Sequence, residues 1–301
     1  MRLVRRFRGI AIQRGETDGM LQRCINDLIG RGVLPDEVRQ WRELKGGTNS
    51  TIGVLGTASR PEQYVIKLNS MEVIARETRF LQLYAGIALL PAVRFVDPAL
   101  RYFVYDFVPG DEPYMRGNKK ALLSALAADM IRHYVRAEDD GPYEWVESPD
   151  HGAETIRYSA SVIGSRLGRD DHELAAAVQR ERSVAIGREE RYVLHGDFGV
   201  HNFLFADGKL TGVIDPLPAA GRKRYDLLYA FCSSPDELTL PVLLRAVSEA
   251  EEEEAPEGRG LIGDVLVALY SRIATCLCHH PADCPQYLQA WKDWKAMYAG
   301  A

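Results

Sequence analysis

The segment from Val193 to Phe205, VLHGDFGVHNFLF, restricts what this chain can fold into more than any other part of the sequence. It places His195, Asp197 and Asn202 inside an otherwise apolar run. Apolar residues on both sides of a polar loop anchor it in a core and turn its polar groups outward. The segment therefore predicts a functional loop within a short β-rich region.

Composition indicates a globular protein. The 301 residues are enough for two lobes, and 46% of them are hydrophobic, which supplies a core for each lobe. A formal net charge of -5 gives no overall attraction to nucleic acid or anionic lipid. No apolar run approaches the roughly 18 residues that span a bilayer, and residues 1–15 lack a signal-peptide pattern. We expect a cytoplasmic protein with no nucleic-acid and no membrane partner.

The five cysteines are an odd number and do not suggest a disulfide framework. Three of them lie in the segment CLCHHPADC, residues 276–284, together with two histidines. The spacing is not that of paired C-x-x-C zinc motifs, and Cys276 continues a helical series of apolar residues. We expect structural cysteines near a helix end, with a zinc site as the alternative.

Strands dominate the first part of the chain, and helices dominate the rest. STIGVLG and YVIKLN are β-branched runs on either side of a polar turn, which predicts a hairpin. A helix capped by Ser70 follows, and then two further strands. The predicted organisation is a strand-rich, nucleotide-binding region of residues 1–109 and a helical, catalytic and substrate-binding region of residues 110–301.

The polar residues of the opening motif have the spacing that metal-assisted phosphoryl transfer requires. Four residues separate Asp197 from Asn202, and Asp215 follows, after a short DGKL turn, in GVIDP at the end of a β-run. One carboxylate can orient an attacking hydroxyl and accept its proton, while an amide oxygen and a second carboxylate are hard ligands for Mg²⁺. An Asx turn between two strands is the alternative for Asp197 and Asn202.

Lys67 and Glu77 lie upstream in the order that this chemistry needs. Lys67 is on a predicted strand after a glycine-containing hairpin, and Glu77 is on the next predicted helix. The two resemble the phosphate-contacting lysine of kinases and the glutamate that positions it. Alone, each could be an ordinary surface residue, but their occurrence together with the downstream motif favours the functional interpretation.

Together these motifs resemble the aminoglycoside phosphotransferase and choline kinase-like family. The resemblance covers about residues 44–231, and HGDFGVHNFLF with GVIDP is its specific part. It implies an α+β, protein kinase-like bilobal fold, with a small antiparallel sheet in the N-terminal lobe and a larger, mainly helical C-terminal lobe. It also implies ATP and Mg²⁺ as cofactors and an ATP-dependent phosphotransferase activity.

Carried over residue by residue, the resemblance assigns roles to the matching positions. It implies Asp197 as the catalytic base, and Asn202 and Asp215 as the Mg²⁺ ligands. It places Lys67 on the ATP phosphates with Glu77 as its partner.

Other loop positions are expected to be structural. His195 shapes the loop through hydrogen bonds, because Asp197 holds the position of the base, and His201 is a loop residue. Asp226, in RYDLLYAF, matches the family's aspartate after the metal site and is expected to make structural hydrogen bonds.

The nucleotide-binding loop and the hinge match the family less closely. KGGTNSTIGV lacks the G-x-G-x-x-G pattern, so its backbone and the hydroxyls of Thr48 or Ser50 are expected to approach the phosphates. The hinge between the lobes is expected at YDFVPG, where the backbone from Asp106 to Val108 would contact adenine. A plain strand end is the alternative there.

The acceptor is expected to be a small hydroxylated molecule. Only ten residues separate Asp215 from Asp226, and no A-P-E sequence follows, so the activation segment of a protein kinase is missing. Residues 138–150, EDDGPYEWVESPD, hold six acidic residues and no basic one, together with Tyr143 and Trp145, whose rings could face the substrate and stack on a sugar. This favours a cationic, aminoglycoside-like amine sugar, with a solvated acidic loop as the alternative. Choline, another amino sugar or a macrolide remain as acceptors, and a non-catalytic nucleotide-binding module remains as a different function.

Overall fold

The structure is a computed structural model that describes residues 14–44, 50–185, 191–251 and 258–301. The chain divides into two compact units. The first is formed by the described residues up to Gly110 together with Thr211–Ile214, and the second by Asp111–Leu210 and Asp215–Ala301.

The first unit is a five-stranded antiparallel sheet with two helices. The strands occur in the order β1-β2-β3-β5-β4. β2 pairs with β3 so that Thr51 lies opposite Leu68, which confirms the predicted hairpin. The elements in chain order are α1 (Arg14–Gly30), β1 (Gln40–Leu44), β2 (Thr51–Gly56), β3 (Tyr64–Leu68), α2 (Met71–Leu83), β4 (Val93–Val96) and β5 (Tyr102–Asp106).

Local sequence explains the start of α2 and the position of its ion-pairing residue. The Ser70 hydroxyl accepts a hydrogen bond from the backbone N–H of Val73 and caps the helix, as predicted. Ile74, Glu77 and Leu81 follow at helical spacing and are all buried. The apolar face of α2 therefore carries a carboxylate into the interior of the first unit.

The second unit is mainly helical. It holds the small antiparallel pairing of β6 with β9, and its largest buried side chains include Trp291 and Trp294. The chain also forms a two-stranded pairing of β7 with β8. The elements that follow Gly110 in the chain are α3 (Lys119–Asp129), α4 (Pro149–Ile163), α5 (Arg169–Ala185), β6 (Tyr192–Leu194), β7 (Phe203–Ala206), β8 (Lys209–Val213), β9 (Ala219–Gly221), α6 (Lys223–Cys232), α7 (Leu240–Glu251), α8 (Arg259–His279) and α9 (Cys284–Gly300).

The turn between β7 and β8 is the predicted short loop after the opening motif. Asp207 and Gly208 both have positive φ, at 51° and 67°, which is the geometry of a type I′ hairpin turn. Asp and Gly are favoured there because both tolerate the left-handed region. The turn reverses the chain between Asn202 and Asp215.

Helix α8 corrects one expectation from the sequence. Within the described ranges, it is the one helix long and apolar enough to cross a membrane, whereas no segment of that kind was expected. However, 61% of its most apolar 18-residue window is buried inside the protein. This burial is typical of a core helix.

The C-terminal cysteines lie where α8 ends and α9 begins. Cys276 and Cys284 are buried, as expected for structural cysteines, whereas Cys278 is exposed. The Cys276 thiol donates a hydrogen bond to the carbonyl oxygen of His280, and burial raises the pKa of this thiol to about 11. Across the part of the chain that the structure describes, no three His, Cys, Asp or Glu side chains form a metal-binding group.

Candidate active site

In the first unit, Lys67 and Glu77 form a buried ion pair. The Lys67 Nζ lies 2.9 Å from Oε1 and 2.7 Å from Oε2 of Glu77. The two side chains are only 4% and 3% exposed. Lys67 comes from β3 in the middle of the sheet, and Glu77 comes from the buried face of α2. The structure therefore brings together the two residues that the sequence paired.

Ser50, which the sequence placed near the nucleotide phosphates, lies just before β2. Its hydroxyl oxygen accepts a hydrogen bond from the side-chain amide of Asn69 at 2.6 Å. Asn69 also accepts a hydrogen bond from the backbone N–H of Ser70. The Ser50 hydroxyl is thus fixed relative to the end of β3 and retains its own proton for donation. Thr48, the other hydroxyl predicted there, lies outside the described residues.

The Asp106 to Val108 segment follows β5. The Asp106 carboxylate accepts two hydrogen bonds from Arg94, both of 2.6 Å. Its backbone N–H donates to Ala92, and that of Phe107 donates to Gln63. Within the described chain, the N–H of Val108 donates to no backbone carbonyl. The backbone pairing at the end of β5 therefore uses the N–H groups of Asp106 and Phe107, and the contact of this segment with adenine stays a prediction.

In the second unit, four side chains converge at the predicted loop. β6 leads into Asp197, and a 3₁₀ turn at Val200–Asn202 leads into β7. The Asn202 side-chain amide donates to the backbone carbonyl of Asp197 at 2.8 Å and to its Oδ2 at 3.2 Å. The Tyr229 hydroxyl donates to Oδ1 at 2.6 Å, and His201 Nε2 lies 3.3 Å from Oδ2. Both carboxylate oxygens of Asp197 are therefore held in place.

These contacts keep Asp197 ionised. Burial raises the pKa of the Asp197 carboxyl, but hydrogen bonds from His201 and Tyr229 outweigh burial and lower it to about 2. The side chain remains 34% exposed. Asp197 can therefore accept a hydrogen bond from a hydroxyl group that approaches from solvent.

Asn202 and Asp215 have the chemistry of a Mg²⁺ site. The amide nitrogen of Asn202 makes two hydrogen bonds to Asp197, which identifies the other end of the amide as the acceptor oxygen. Asp215 supplies a half-buried carboxylate with a positive φ of 57°, which is uncommon for a residue other than glycine. Amide and carboxylate oxygens are the ligands that Mg²⁺ prefers, so these residues fit the ion.

Backbone contacts hold the Asp215 segment against the loop. The N–H of Leu217 donates to the carbonyl oxygen of His195 at 2.8 Å. Gly196 has a φ of 82°, and a Cβ atom on it would lie 2.0 Å from the Leu217 carbonyl oxygen. Only glycine permits this approach. The structure thus brings together the segments that carry Asp197 and Asp215.

The Asp226 side chain holds the backbone of the loop through hydrogen bonds, which confirms its predicted structural role. Its fully buried carboxylate accepts hydrogen bonds from the backbone N–H groups of His195 at 2.7 Å and Gly196 at 3.1 Å. A third comes from the Tyr134 hydroxyl at 2.8 Å. Burial raises the pKa of Asp226 to about 7, although these hydrogen bonds oppose the shift. His195 is itself fully buried beside Phe198, which fits a structural role.

Sequence reasoning missed two residues that contact the loop. Tyr229 donates to the carboxylate of Asp197, and the Ser233 hydroxyl accepts from the backbone N–H of Val200 at 3.2 Å. Tyr229 lies on α6, three residues after Asp226, and Ser233 is the C-cap residue of this helix, seven residues after Asp226. Helical spacing places both on the side of the helix that carries Asp226, but the sequence alone does not distinguish Tyr229 from a core tyrosine. His201, expected to be an ordinary loop residue, also contacts Asp197.

Part of the acidic segment of residues 138–150 makes contacts inside the protein. Glu147 is buried and pairs with Arg222 at 2.7 Å. The guanidinium of Arg191 lies 3.6 Å from the ring centroid of Trp145. The other five acidic side chains of the segment are exposed. Glu147 is therefore unavailable to a substrate, and one face of the Trp145 ring is covered.

Strand register locates the start of this segment. Ala137 donates to the carbonyl oxygen of Arg191, and Val193 donates to that of Val135. Residues 135–137 therefore run antiparallel to β6, and Glu138 follows at the end of β6 away from Asp197. Further along, Val146 donates to the carbonyl oxygen of Ala220 in β9, which returns the chain alongside the small sheet.

Comparison with known proteins finds a family match. Residues 40–219 match the family described as Phosphotransferase enzyme family, or APH. No curated protein sequence matches the chain significantly.

Several solved structures share its fold. An aminoglycoside 2'-phosphotransferase-IIIa mutant in complex with GDP is 13% identical, with a TM-score of 0.59 over 91% of this chain and 97% of that one. A macrolide 2'-phosphotransferase from Brachybacterium faecium is 16% identical, with a TM-score of 0.59 over 89% and 96%. A choline kinase from Streptococcus pneumoniae is 14% identical, with a TM-score of 0.59 over 94% and 100%. These similarities confirm the α+β, protein kinase-like fold.

Proposed function

We propose that this chain, which belongs to the phosphotransferase enzyme family, transfers the γ-phosphate of ATP to a hydroxyl group of a small molecule. The observation that carries the proposal is the environment of Asp197. Its partly exposed carboxylate is ionised and held at both oxygens, beside an amide oxygen suited to a metal ion. This is the arrangement that a phosphotransferase needs to orient an attacking hydroxyl.

In the proposed reaction, the acceptor hydroxyl donates a hydrogen bond to Asp197 and attacks the γ-phosphorus as ADP leaves. The hydroxyl proton passes to Asp197 as the new P–O bond forms. Lys67, held by Glu77, contacts the nucleotide phosphates. Asn202 and Asp215 would hold Mg²⁺, which supplies positive charge to the phosphate oxygens when bound.

The test is Asp197→Asn. We expect the variant to fold and to bind ATP, with turnover lowered roughly 100-fold or more, because a positioned base contributes about that factor. Asp207→Asn is the matched control. It makes the same change in charge on an exposed turn where Asn tolerates positive φ, so it should keep full turnover. Normal turnover in Asp197→Asn would contradict the proposal.

For the acceptor, we propose a cationic amine sugar of the aminoglycoside type. The exposed carboxylates of the acidic segment, among them Asp139, Asp140 and Glu144, support this choice because they can attract ammonium groups. Choline and macrolides are the competing acceptors. A cytoplasmic location, where ATP is available, is part of the same proposal.

A coupled assay of ATP turnover with gentamicin, choline, a macrolide and a neutral sugar, at low and high salt, tests the acceptor. We expect gentamicin to be preferred and its KM to rise with salt, because 0.15 M salt already limits charge attraction to about 8 Å. Preference for a neutral acceptor would overturn the cationic assignment alone. ATP binding without turnover of any acceptor would indicate a non-catalytic nucleotide-binding module.

A further inference from the structure

One face of α6 and its C-cap make four hydrogen bonds with the loop from His195 to Val200. Asp226, Tyr229 and Ser233 lie at positions i, i+3 and i+7, which places them on the same face of the helix. Asp226 and Ser233 bind backbone N–H groups of the loop. Tyr229, between them, is the member of the three that reaches the carboxylate of Asp197.

The C-terminal end of α6 is fixed by side chains of other helices. The carbonyl groups of its last residue and of the two residues that follow accept hydrogen bonds from buried or half-buried donors on α3, α8 and α9. The pairs are Cys232 with Tyr287 at 2.8 Å, Ser233 with Arg272 at 2.7 Å and Ser234 with Lys119 at 2.7 Å. A helix end anchored at three carbonyls gives Tyr229 a rigid base.

The N-terminal end of α6 is fixed by buried charges. Arg222 contacts Glu147 at 2.7 Å and Asp264 at 3.0 Å. Arg224, two residues further on, contacts Glu251 at 2.5 Å. Both ends of the helix are therefore held, which restricts movement of the Tyr229 hydroxyl.

Tyr229 is better placed than His201 to control the orientation of Asp197. The Tyr229 hydroxyl is 2.6 Å from Oδ1, whereas His201 Nε2 is 3.3 Å from Oδ2 and its side chain is 53% exposed. Gly199 lies between the two rings, and a Cβ there would be 3.0 Å from Tyr229 Cε1 and 2.7 Å from the His201 ring. The glycine permits the close packing of Tyr229 against the loop.

We propose that Tyr229 is the positioning residue of the catalytic base, fixing the plane of the Asp197 carboxylate so that it faces the acceptor hydroxyl. The inference rests on the proposed function, in which Asp197 is that base. The χ2 angle of an aspartate is broadly distributed. A short hydrogen bond to Oδ1, opposite the Asn202 amide at Oδ2, restricts that rotation. Tyr229 therefore contributes to catalysis without contacting the substrate.

Tyr229→Phe removes only the hydroxyl. We expect kcat to fall about 10-fold to 100-fold, the factor for one hydrogen bond to a charged group, with the KM for MgATP unchanged. Turnover is measured with gentamicin and choline, and as hydrolysis of MgATP with water as the acceptor. Tyr270→Phe is the matched control, because it removes a buried hydroxyl bonded to His172 instead. It should leave kcat unchanged.

A double-mutant cycle separates positioning from general stability. If Tyr229 acts through Asp197, Tyr229→Phe combined with Asp197→Asn should be no slower than Asp197→Asn alone. Unchanged kcat in Tyr229→Phe, or losses that multiply in the double variant, would overturn the inference while leaving Asp197 as the base. Wild-type turnover in Asp197→Asn, or no turnover by the wild-type protein, would instead overturn the proposed function and this inference with it.

Discussion

The ammonium group of Lys67 lies within 2.9 Å of both carboxylate oxygens of Glu77, and both side chains are almost completely buried. Breaking a buried pair by removing one partner leaves a charge without compensation in the interior, at a cost of about 3–5 kcal/mol. A substitution at either position should therefore lower stability in addition to any effect on the proposed contact of Lys67 with the nucleotide.

For this pair we expect Lys67→Ala to lower turnover more than Glu77→Ala, because Lys67 is the proposed phosphate contact. The double variant should be little slower than Lys67→Ala. Calorimetric unfolding should show that each single substitution costs about 3 kcal/mol or more and that the double costs less than their sum. Glu173→Ala, which breaks an exposed pair with Arg169, should cost less than about 1 kcal/mol. Additive losses would show that the two residues act independently.

Asp215→Ala should abolish turnover and remove most of the effect of Mg²⁺ on ATP binding, because the carboxylate is a proposed metal ligand. ATP titrations followed by calorimetry, with and without Mg²⁺, measure this effect. Asp293→Ala, on the exposed side of α9, should behave like the wild-type protein. An unchanged dependence on Mg²⁺ in Asp215→Ala would refute the assignment.

Gly196→Ala should disrupt the loop, because the new methyl group would lie 2.0 Å from the Leu217 carbonyl oxygen at a φ that favours glycine. We expect a loss of about 2 kcal/mol or more in unfolding free energy and a large loss of turnover. Gly19→Ala, where a Cβ atom meets nothing within 4 Å, should be neutral or slightly stabilising. A fully active Gly196→Ala protein would show that the loop tolerates a shift.

Arg222→Ala should destabilise the second unit by about 3–5 kcal/mol, because it leaves the buried carboxylates of Glu147 and Asp264 without their shared partner. Arg222→Lys should restore only part of the loss, since a lysine cannot reproduce the planar fork of donors. Urea unfolding of both variants measures the difference. If Arg222→Ala were as stable as the wild-type protein, the ion pairs of Arg222 would contribute nothing to the free energy of unfolding.

Acid should weaken the same network. Burial raises the pKa of Asp264, but Arg222 and Arg182 outweigh burial and hold it below its usual 3.8. A carboxyl with a lowered folded-state pKa stabilises the protein above its unfolded-state pKa, and that stability is lost as pH falls through the folded-state pKa. Thermal unfolding from pH 6 to pH 2 should therefore show a steeper loss below pH 4 in the wild-type protein than in Asp264→Asn. Equal slopes would argue against this contribution.

The sequence predicted local features well because their signals lie within a few residues. Thr51 to Leu68 showed the pattern of a hairpin, Ser70 marked the start of α2, and the Asp207–Gly208 turn was visible as a short polar break. The pairing of Lys67 with Glu77 was also predicted, because the order of a strand and the following helix restricts which side chains can meet.

Contacts made across long chain separations were not predictable in the same way. Glu147 was read as part of an acidic surface, yet it is buried against Arg222, 75 residues away. Trp145 was expected to face a substrate, and Arg191 covers one face of its ring. Composition shows that a segment is charged, but only packing decides which of its charges are neutralised inside the protein.

The sequence by itself determined the chemistry of the loop, because the order and spacing of Asp197, Asn202 and Asp215 are properties of one short stretch of chain. Tertiary structure decided how Asp197 is held. Tyr229 lies 32 residues after Asp197, and nothing in the local pattern of α6 distinguishes it from a core tyrosine. Its hydroxyl meets the carboxylate because three sets of contacts fix α6 against the loop: the hydrogen bonds of Asp226, the ion pairs of Arg222 and Arg224, and the hydrogen bonds to the carbonyl groups at the end of the helix. These contacts exist only once the second unit has folded.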